Sequence, residues 1–346
     1  MFFSTRRQEA PAMTLEGVMG PNGRLDEADG MRVDAPGALC VSGGNLLYSS
    51  GNAVYSLPGW GAKPKKWAGF ESSVTALCAG PGGLVAVGLG GGGTVVLDGT
   101  GKPAPGWTSP KWRGSVTDCA FASKDEIVVV DNGYDADEDF MSVAPWEDGA
   151  KGQVVAITRS GASNVLAQGL HCPMGIASDP EGKWIATLFE RGAIVGLDGK
   201  ARQSGFPAYL GRIRRTGSGY VVACLARRDP LIEFLKTERD FVAEMKTAIA
   251  PRHWLSPRAN PEFSHDFPIE AGATRLFGEI KPWAPSFSYG LVIELDGNLM
   301  PVGSAHSRAN GMRHAITDAL AWNGDLIAVS RASSEILKIG PGSASA

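Results

Sequence analysis

From Ala38 to Asp98 the chain alternates short apolar runs with glycine-bearing polar gaps. Ala38-Leu39-Cys40-Val41, Asn45-Leu46-Leu47-Tyr48 and Ala53-Val54-Tyr55-Ser56-Leu57 form one unit. Val74-Thr75-Ala76-Leu77-Cys78, Leu84-Val85-Ala86-Val87 and Thr94-Val95-Val96-Leu97-Asp98 form the next. Short runs rich in β-branched residues and bounded by turn formers predict strands joined as hairpins. The plan returns at a period of about 40 residues. Its later copies start at Val116-Thr117-Asp118-Cys119, Met174-Gly175-Ile176-Ala177, Arg212-Ile213-Arg214 and Ala315-Ile316-Thr317, and a run often ends in Leu-Asp-Gly. So small a sheet cannot bury its faces alone, so the copies must stack around an axis. Six copies fill the length. The pattern predicts an all-β chain, residues 1–346 forming one six-bladed β-propeller with blades near 31–65, 72–110, 115–168, 170–206, 208–305 and 312–342.

Two insertions break the rhythm and belong on loops at blade ends. Residues 133–140 are acidic, but the spacing of Asp135, Asp137, Glu138 and Asp139 lacks the glycine and terminal glutamate at the positions a calcium loop needs, and so reads as a surface loop. The longer insertion, 229–285, opens with Asp229-Pro230, a cap followed by a residue suited to the first helical turn. Leu231, Leu235, Val242, Met245 and Ile249 then recur near helical spacing, predicting an inserted helix over about 230–249 and a lid-like segment beyond it, with His253 and His265 along the lid.

Composition narrows the partners. With 43% hydrophobic and 20% charged residues the chain can bury a sizeable core, and its 46 glycines and 22 prolines are dispersed as turns would require. A net charge of −3 with no long basic run gives no reason to bind nucleic acid or an anionic membrane, which leaves a small-molecule substrate as the expected partner. The apolar part of Met1–Arg7 is too short for a signal peptide, and no stretch reaches the ~18 apolar residues of a membrane span. A cytoplasmic protein is expected, and nothing in the sequence sets its oligomeric state. Five cysteines with no CxxC spacing suggest neither a disulfide framework nor a zinc knuckle, and read as small core residues.

Side chains at the start of each innermost strand face the channel mouth of a propeller. They are Asp34, Ser73, Asp118, His171, Met174, Arg212, Arg214 and His314, with Asn132 and Glu190 at strand ends and Asp318 the nearest acid in the last blade. Asp118 with His171 or His314 would make an acid–base pair near neutral pH. Arg212, Arg214 and Arg215 would clamp a carboxylate or phosphate, one of them pairing with the acidic loop at 135–139. Gly90-Gly91-Gly92-Gly93 reads as a hairpin turn, since no Lys-Ser or Lys-Thr follows.

Several segments resemble a known family. Lys281-Pro282-Trp283-Ala284-Pro285, Ser288-Tyr289-Gly290-Leu291-Val292 and His306-Ser307-Arg308-Ala309-Asn310-Gly311 look like the carboxy-terminal part of strictosidine-synthase-like proteins. Arg227-Arg228-Asp229-Pro230-Leu231 and Gly169-Leu170-His171-Cys172-Pro173-Met174-Gly175 are similar to two further family segments. The resemblance implies the six-bladed propeller superfamily that also holds the gluconolactonase-like enzymes, and it covers most of the chain with gaps. In the metal-dependent members, Glu, Asn and Asp hold a calcium-like ion at the channel mouth. The matching positions here read Pro36-Gly37, Pro173-Met174-Gly175 and Leu210-Gly211-Arg212, so neither a metal nor any other cofactor is expected. Metal-independent strictosidine synthases use a glutamate, whereas Leu320-Ala321-Trp322 offers no carboxylate. The leading expectation is an enzyme without a catalytic metal, acting on an ester, lactone, C–N or C–C bond through Asp118 and a histidine. The alternatives are a non-catalytic propeller binding a metabolite or a protein, and a lactonase whose metal site is rebuilt from Asp34, Asp118 and Asn132.

Overall fold

A short amphipathic strand pairs most readily with the next run along the chain, so antiparallel hairpins result throughout. The computed structural model describes residues 14–108, 115–260, 275–276, 279–280 and 287–343, and arranges these hairpins as six blades around an axis. Blade 1 holds strands Pro36–Ser42, Asn45–Ser50, Ala53–Leu57 and Lys65–Gly69. Blade 2 holds Val74–Ala79, Val85–Leu89 and Thr94–Leu97, and its fourth position is reduced to one bridge between Leu97 and Pro103. Blade 3 spans Val116–Ser123, Glu126–Asp131, Gly152–Thr158 and Ser163–Leu170, and blade 4 spans Pro173–Ser178, Trp184–Leu188, Ala193–Gly196 and Ala201–Ser204. Blade 5 is Ala208–Arg215, Gly219–Arg227, Gly290–Asp296 and Pro301–Ser307.

Blade 6 combines Ile316–Trp322, Asp325–Ser330 and Glu335–Gly340 with Asp29–Arg32 from the other end of the chain, paired antiparallel from Asp29 opposite Lys338 to Arg32 opposite Glu335. Residues 31 and 32 therefore belong to the last blade and not, as expected, to the first. One sheet built from both ends of the chain locks the ring.

The repeated Leu-Asp-Gly has a local cause. The Asp98 carboxylate accepts from the N–H of Thr100 at 2.8 Å and of Lys102 at 3.1 Å, and the Asp296 carboxylate accepts from Asn298 at 2.8 Å and Met300 at 2.9 Å. Asp198 does the same for Lys200 at 3.1 Å. Each aspartate closes the hairpin after the third strand of its blade.

Blade faces pack on their neighbours to form the core. Ala76, Cys78 and Ala86 of blade 2 meet Cys119, Ile127 and Val129 of blade 3, and all five cysteines are buried and unbonded. Among the described residues no helix is long and apolar enough to cross a membrane.

Because strands alternate in direction, the connections between blades and the loops joining second to third strands all lie on one face, called here the mouth face. Three of them shape the site, two large and the one in blade 4 short. Blade 3 contributes α1, Phe140–Val143, and a 3₁₀ turn at Ala144–Trp146; blade 4 contributes Phe189–Gly192; blade 5 contributes the long insertion. The insertion holds two helices, α2 at Pro230–Leu235 and α3 at Arg239–Ala248, where one was expected. Asp229 caps α2 as the sequence predicts, accepting from the Leu231 N–H at 2.8 Å. At the break the N–H groups of Thr237 and Glu238 turn to the carbonyls three residues back, Phe234 at 2.9 Å and Leu235 at 3.0 Å, and the Thr237 hydroxyl also donates to the Phe234 carbonyl at 2.7 Å. Ile232, Met245 and Trp254 of the insertion pack with Tyr134, Trp146, Met174, Phe189 and Tyr209 as an apolar cap over blades 3 to 5.

Candidate functional site

Along the axis the innermost strands turn unpaired carbonyls inward, and a cation fits there. Arg212 supplies it. Its guanidinium donates to the carbonyls of Gly37, Thr117 and Thr317, each at 2.9 Å, and to that of Thr75, tying blade 5 to blades 1, 2, 3 and 6. Gly175 makes room for it, since a Cβ there would lie 2.7 Å from the Arg212 Cα. One step deeper, Arg214 makes a paired contact to Asp118 at 2.7 and 2.8 Å and reaches Asp318 at 3.0 Å. Asp118 also accepts from the Ile176 N–H and Asp318 from the Leu39 N–H, both at 3.0 Å. Burial pushes the Asp318 carboxyl up, against the pull of Arg214 and Arg212. Two cations and two carboxylates, all buried or nearly so, thus brace the ring.

This arrangement corrects three expectations. Asp118 is fully buried and engaged by arginines and a backbone amide, and neither His171 nor His314 is among its partners. Arg212 and Arg214 are held by Asp118, Asp318 and inward carbonyls, and among the described residues none of Arg212, Arg214 and Arg215 forms an ion pair with the loop at 135–139. The rebuilt metal site does not assemble: Asp34 is exposed, the Asn132 side chain accepts from the Tyr134 N–H at 3.0 Å as a turn cap, and Asp118 is taken. The residues at the mouth do not fit a calcium-like ion either, because a guanidinium occupies the inward carbonyls and Met174 lies in the apolar cap. Among the described residues no three His, Cys, Asp or Glu side chains converge as a metal-ligand set.

His314 is fully buried. Its Nε2 lies 2.8 Å from the Arg308 carbonyl and its Nδ1 is bonded to the Ser288 hydroxyl, while its ring stacks on Tyr289. The backbone carbonyl can only accept, so Nε2 carries the proton and Nδ1 accepts from Ser288. Burial lowers the His314 pKa.

His171 stands apart from the channel and is brought to Glu190 by topology. His171 precedes the first strand of blade 4, and Cys172 turns the chain there in a left-handed conformation with φ of 40°. Glu190 follows the second strand in a tight turn completed by Gly192, where a Cβ would sit 2.5 Å from the Phe206 carbonyl. These two turns set His171 Nδ1 3.4 Å from a Glu190 carboxylate oxygen. Glu190 is 4% exposed, and its Oε2 has no hydrogen-bond partner among the described residues. Burial raises the Glu190 pKa, against the charges of Arg191, Lys236 and Arg228, and burial with the charge of Arg191 lowers that of His171.

No protein-family model and no curated protein matches the chain. Among solved structures it is similar to the WD40 β-propeller domain of Doa1, at 12% identity and a TM-score of 0.49 over 87% of this chain and 77% of that one. Six blades are assigned on the sheet topology itself.

Around Glu190 lie residues that the repeat pattern did not single out. Arg228 donates to Glu233 at 3.1 and 2.6 Å, and Lys236 lies 3.5 Å from the same carboxylate. Tyr209, fully buried between Phe189 and these charges, has no partner for its hydroxyl among the described residues, and the same holds for Asp229 Oδ2. An unsatisfied buried polar atom costs about 1–3 kcal/mol, so three in one neighbourhood mark a place that a polar guest would complete. Asp229-Pro230 was legible as a helix start; Tyr209 and Lys236 carried no signal, because their meaning depends on an insertion folding back over blade 4.

Proposed function

We propose that the protein is an enzyme of the strictosidine-synthase-like type that transforms a small molecule beneath the capped mouth face, with Glu190 and His171 as its proton-transfer pair. One observation carries this reading: a carboxyl with a raised pKa and an unpartnered oxygen, buried next to an imidazole that is 28% exposed to solvent. Burial raises the carboxyl pKa and lowers the imidazole pKa, which favours a protonated acid beside an unprotonated base, the arrangement that proton transfer needs. For hydrolysis of an ester or lactone, His171 takes the proton of the attacking water, its oxygen bonds to the carbonyl carbon, and Glu190 gives a proton to the departing alkoxide. The same pair would serve the making or breaking of a C–N or C–C bond. Tyr209 and Asp229 offer a hydroxyl and a carboxylate oxygen to orient the substrate.

A second reading, a propeller that binds without turnover, is favoured by the guanidinium that closes the channel and by the apolar cap. A panel of esters and lactones, assayed with and without chelator, separates the two. Turnover that survives chelator and falls about 100-fold or more in Glu190→Gln supports proton transfer by the pair. Turnover unchanged by that substitution would overturn the role of Glu190, and none across the panel shifts the reading to binding.

A further inference from the structure

Beside the Glu190–His171 pair lies a cleft of about 520 Å³, walled on one side by Pro145, Trp146 and Asp148 and on the other by Lys236 and α3. Its charge is one-sided: Lys236, Arg239 and Lys246 face a single carboxylate, Asp148, in a chain whose net charge is −3. Among the described residues neither Arg239 nor Lys246 has a carboxylate within 4.0 Å. Both are exposed, whereas Lys236 is partly buried at the inner end, against Glu233. The rest of the wall is apolar. Trp146 is fixed by its indole N–H, which donates to the Leu255 carbonyl at 2.7 Å, and Val242 lies opposite. Two residues of its wall lie within electrostatic range of the proposed site, Asp148 of His171 and Lys236 of Glu190.

We propose that this cleft admits an organic anion, a small molecule with an apolar body and a carboxylate or phosphate held by Lys236, Arg239 and Lys246. The inference rests on the Glu190–His171 reading for the chemistry after binding, and not for binding itself. Arg239 supplies a planar fork matched to either anion, and two ammonium groups add point charges beside it. An apolar wall with a few convergent charges is the ordinary composition of a small-molecule site. Arg239 and Lys246 both stand on α3 and both are exposed, so both can be removed without disturbing the buried cluster.

The test compares 2-naphthoate, 2-naphthyl phosphate and neutral 2-naphthamide, with binding followed by tryptophan fluorescence on the whole protein. The expected result is that at least one anion binds more tightly than the amide, weakens with added salt, and loses about tenfold in affinity in Arg239→Ala/Lys246→Ala at unchanged melting temperature. Equal binding of anion and amide, no binding of either anion up to millimolar concentration, or affinity untouched by the double substitution would overturn it. The phosphate and carboxylate arms tell which anion the cleft prefers. Paired neutral and carboxylate-bearing esters separate this inference from the proposed activity. Equal turnover of both esters, abolished by Glu190→Gln, leaves the catalytic reading standing and removes this one. Anion binding lost in the double variant of a protein that turns over neither ester does the reverse.

Discussion

Arg212 shows how much one side chain can hold in a propeller. Four inward carbonyls from four blades depend on its guanidinium, which also lies 3.8 Å from Asp118 and 3.7 Å from Asp318. Arg212→Met takes the guanidinium from all four carbonyls, leaving that of Gly37 only the Thr317 hydroxyl, and weakens the compensation of two buried carboxylates, a loss expected at about 3 kcal/mol by urea denaturation. A loss below about 1 kcal/mol would mean that water replaces the guanidinium without penalty. His306 makes a different prediction. It is fully buried between the Tyr289 hydroxyl at 3.1 Å and the Ser304 hydroxyl at 2.9 Å, and burial, with the charges of Arg308, Arg227 and Arg24, lowers its pKa from the ordinary 6.5 to about 4. A histidine whose pKa is depressed by folding stabilises the folded state above its unfolded pKa, and that contribution fades as the pH falls. Stability is therefore expected to decline from pH 6.5 toward about 4 by on the order of 3 kcal/mol, with a shallower decline in His306→Gln. Glu190, Asp229 and Asp318, whose carboxyls are raised by burial, act in the opposite sense, favouring the folded state as they take up protons. The same slope in the variant would assign the decline to other groups.

The ring depends on one element far from the channel, the strand Asp29–Arg32. It pairs residue by residue with Glu335–Lys338, and Leu25 just before it is fully buried against Val292, Ile316 and Leu326 between blades 5 and 6. A chain begun at Val33 loses both contacts and exposes the edge of the last blade. A fall of several kcal/mol is expected, about 10 °C in melting temperature for a chain of this size, and an unchanged melting curve would show that the ring closes without it. The hairpins were legible because their signals are local: alternation chooses strand over helix, and the aspartate of Leu-Asp-Gly makes its own turn. The helix start at Asp229-Pro230 was legible for the same reason. Its early end was not, because the apolar spacing from Leu231 to Ile249 continues through the point where the Thr237 hydroxyl competes for a backbone carbonyl.

For the whole molecule, topology decides which loops meet. Alternating strand direction gathers the large loops of blades 3 and 5 and the short turn of blade 4 on the mouth face, and the insertion of blade 5 lies across them as an apolar cap. Arg214 takes Asp118 out of the set of candidate acids, and the turns of blade 4 put Glu190 in its place, 3.4 Å from His171. The sequence by itself determined the repeat, the hairpins and their turns, since each follows from residues within about 40 positions of one another, and the count of six copies follows from that period and the length. Only the tertiary structure decided that Asp29–Arg32 joins the last blade, that Arg212 closes the axis, and that Tyr209, Arg228 and Lys236 surround Glu190. Those contacts join residues from different blades or from opposite ends of the chain. A charged side chain's partner is fixed by which blades stand side by side and by what burial removes from water, and neither is written in the spacing of any single segment.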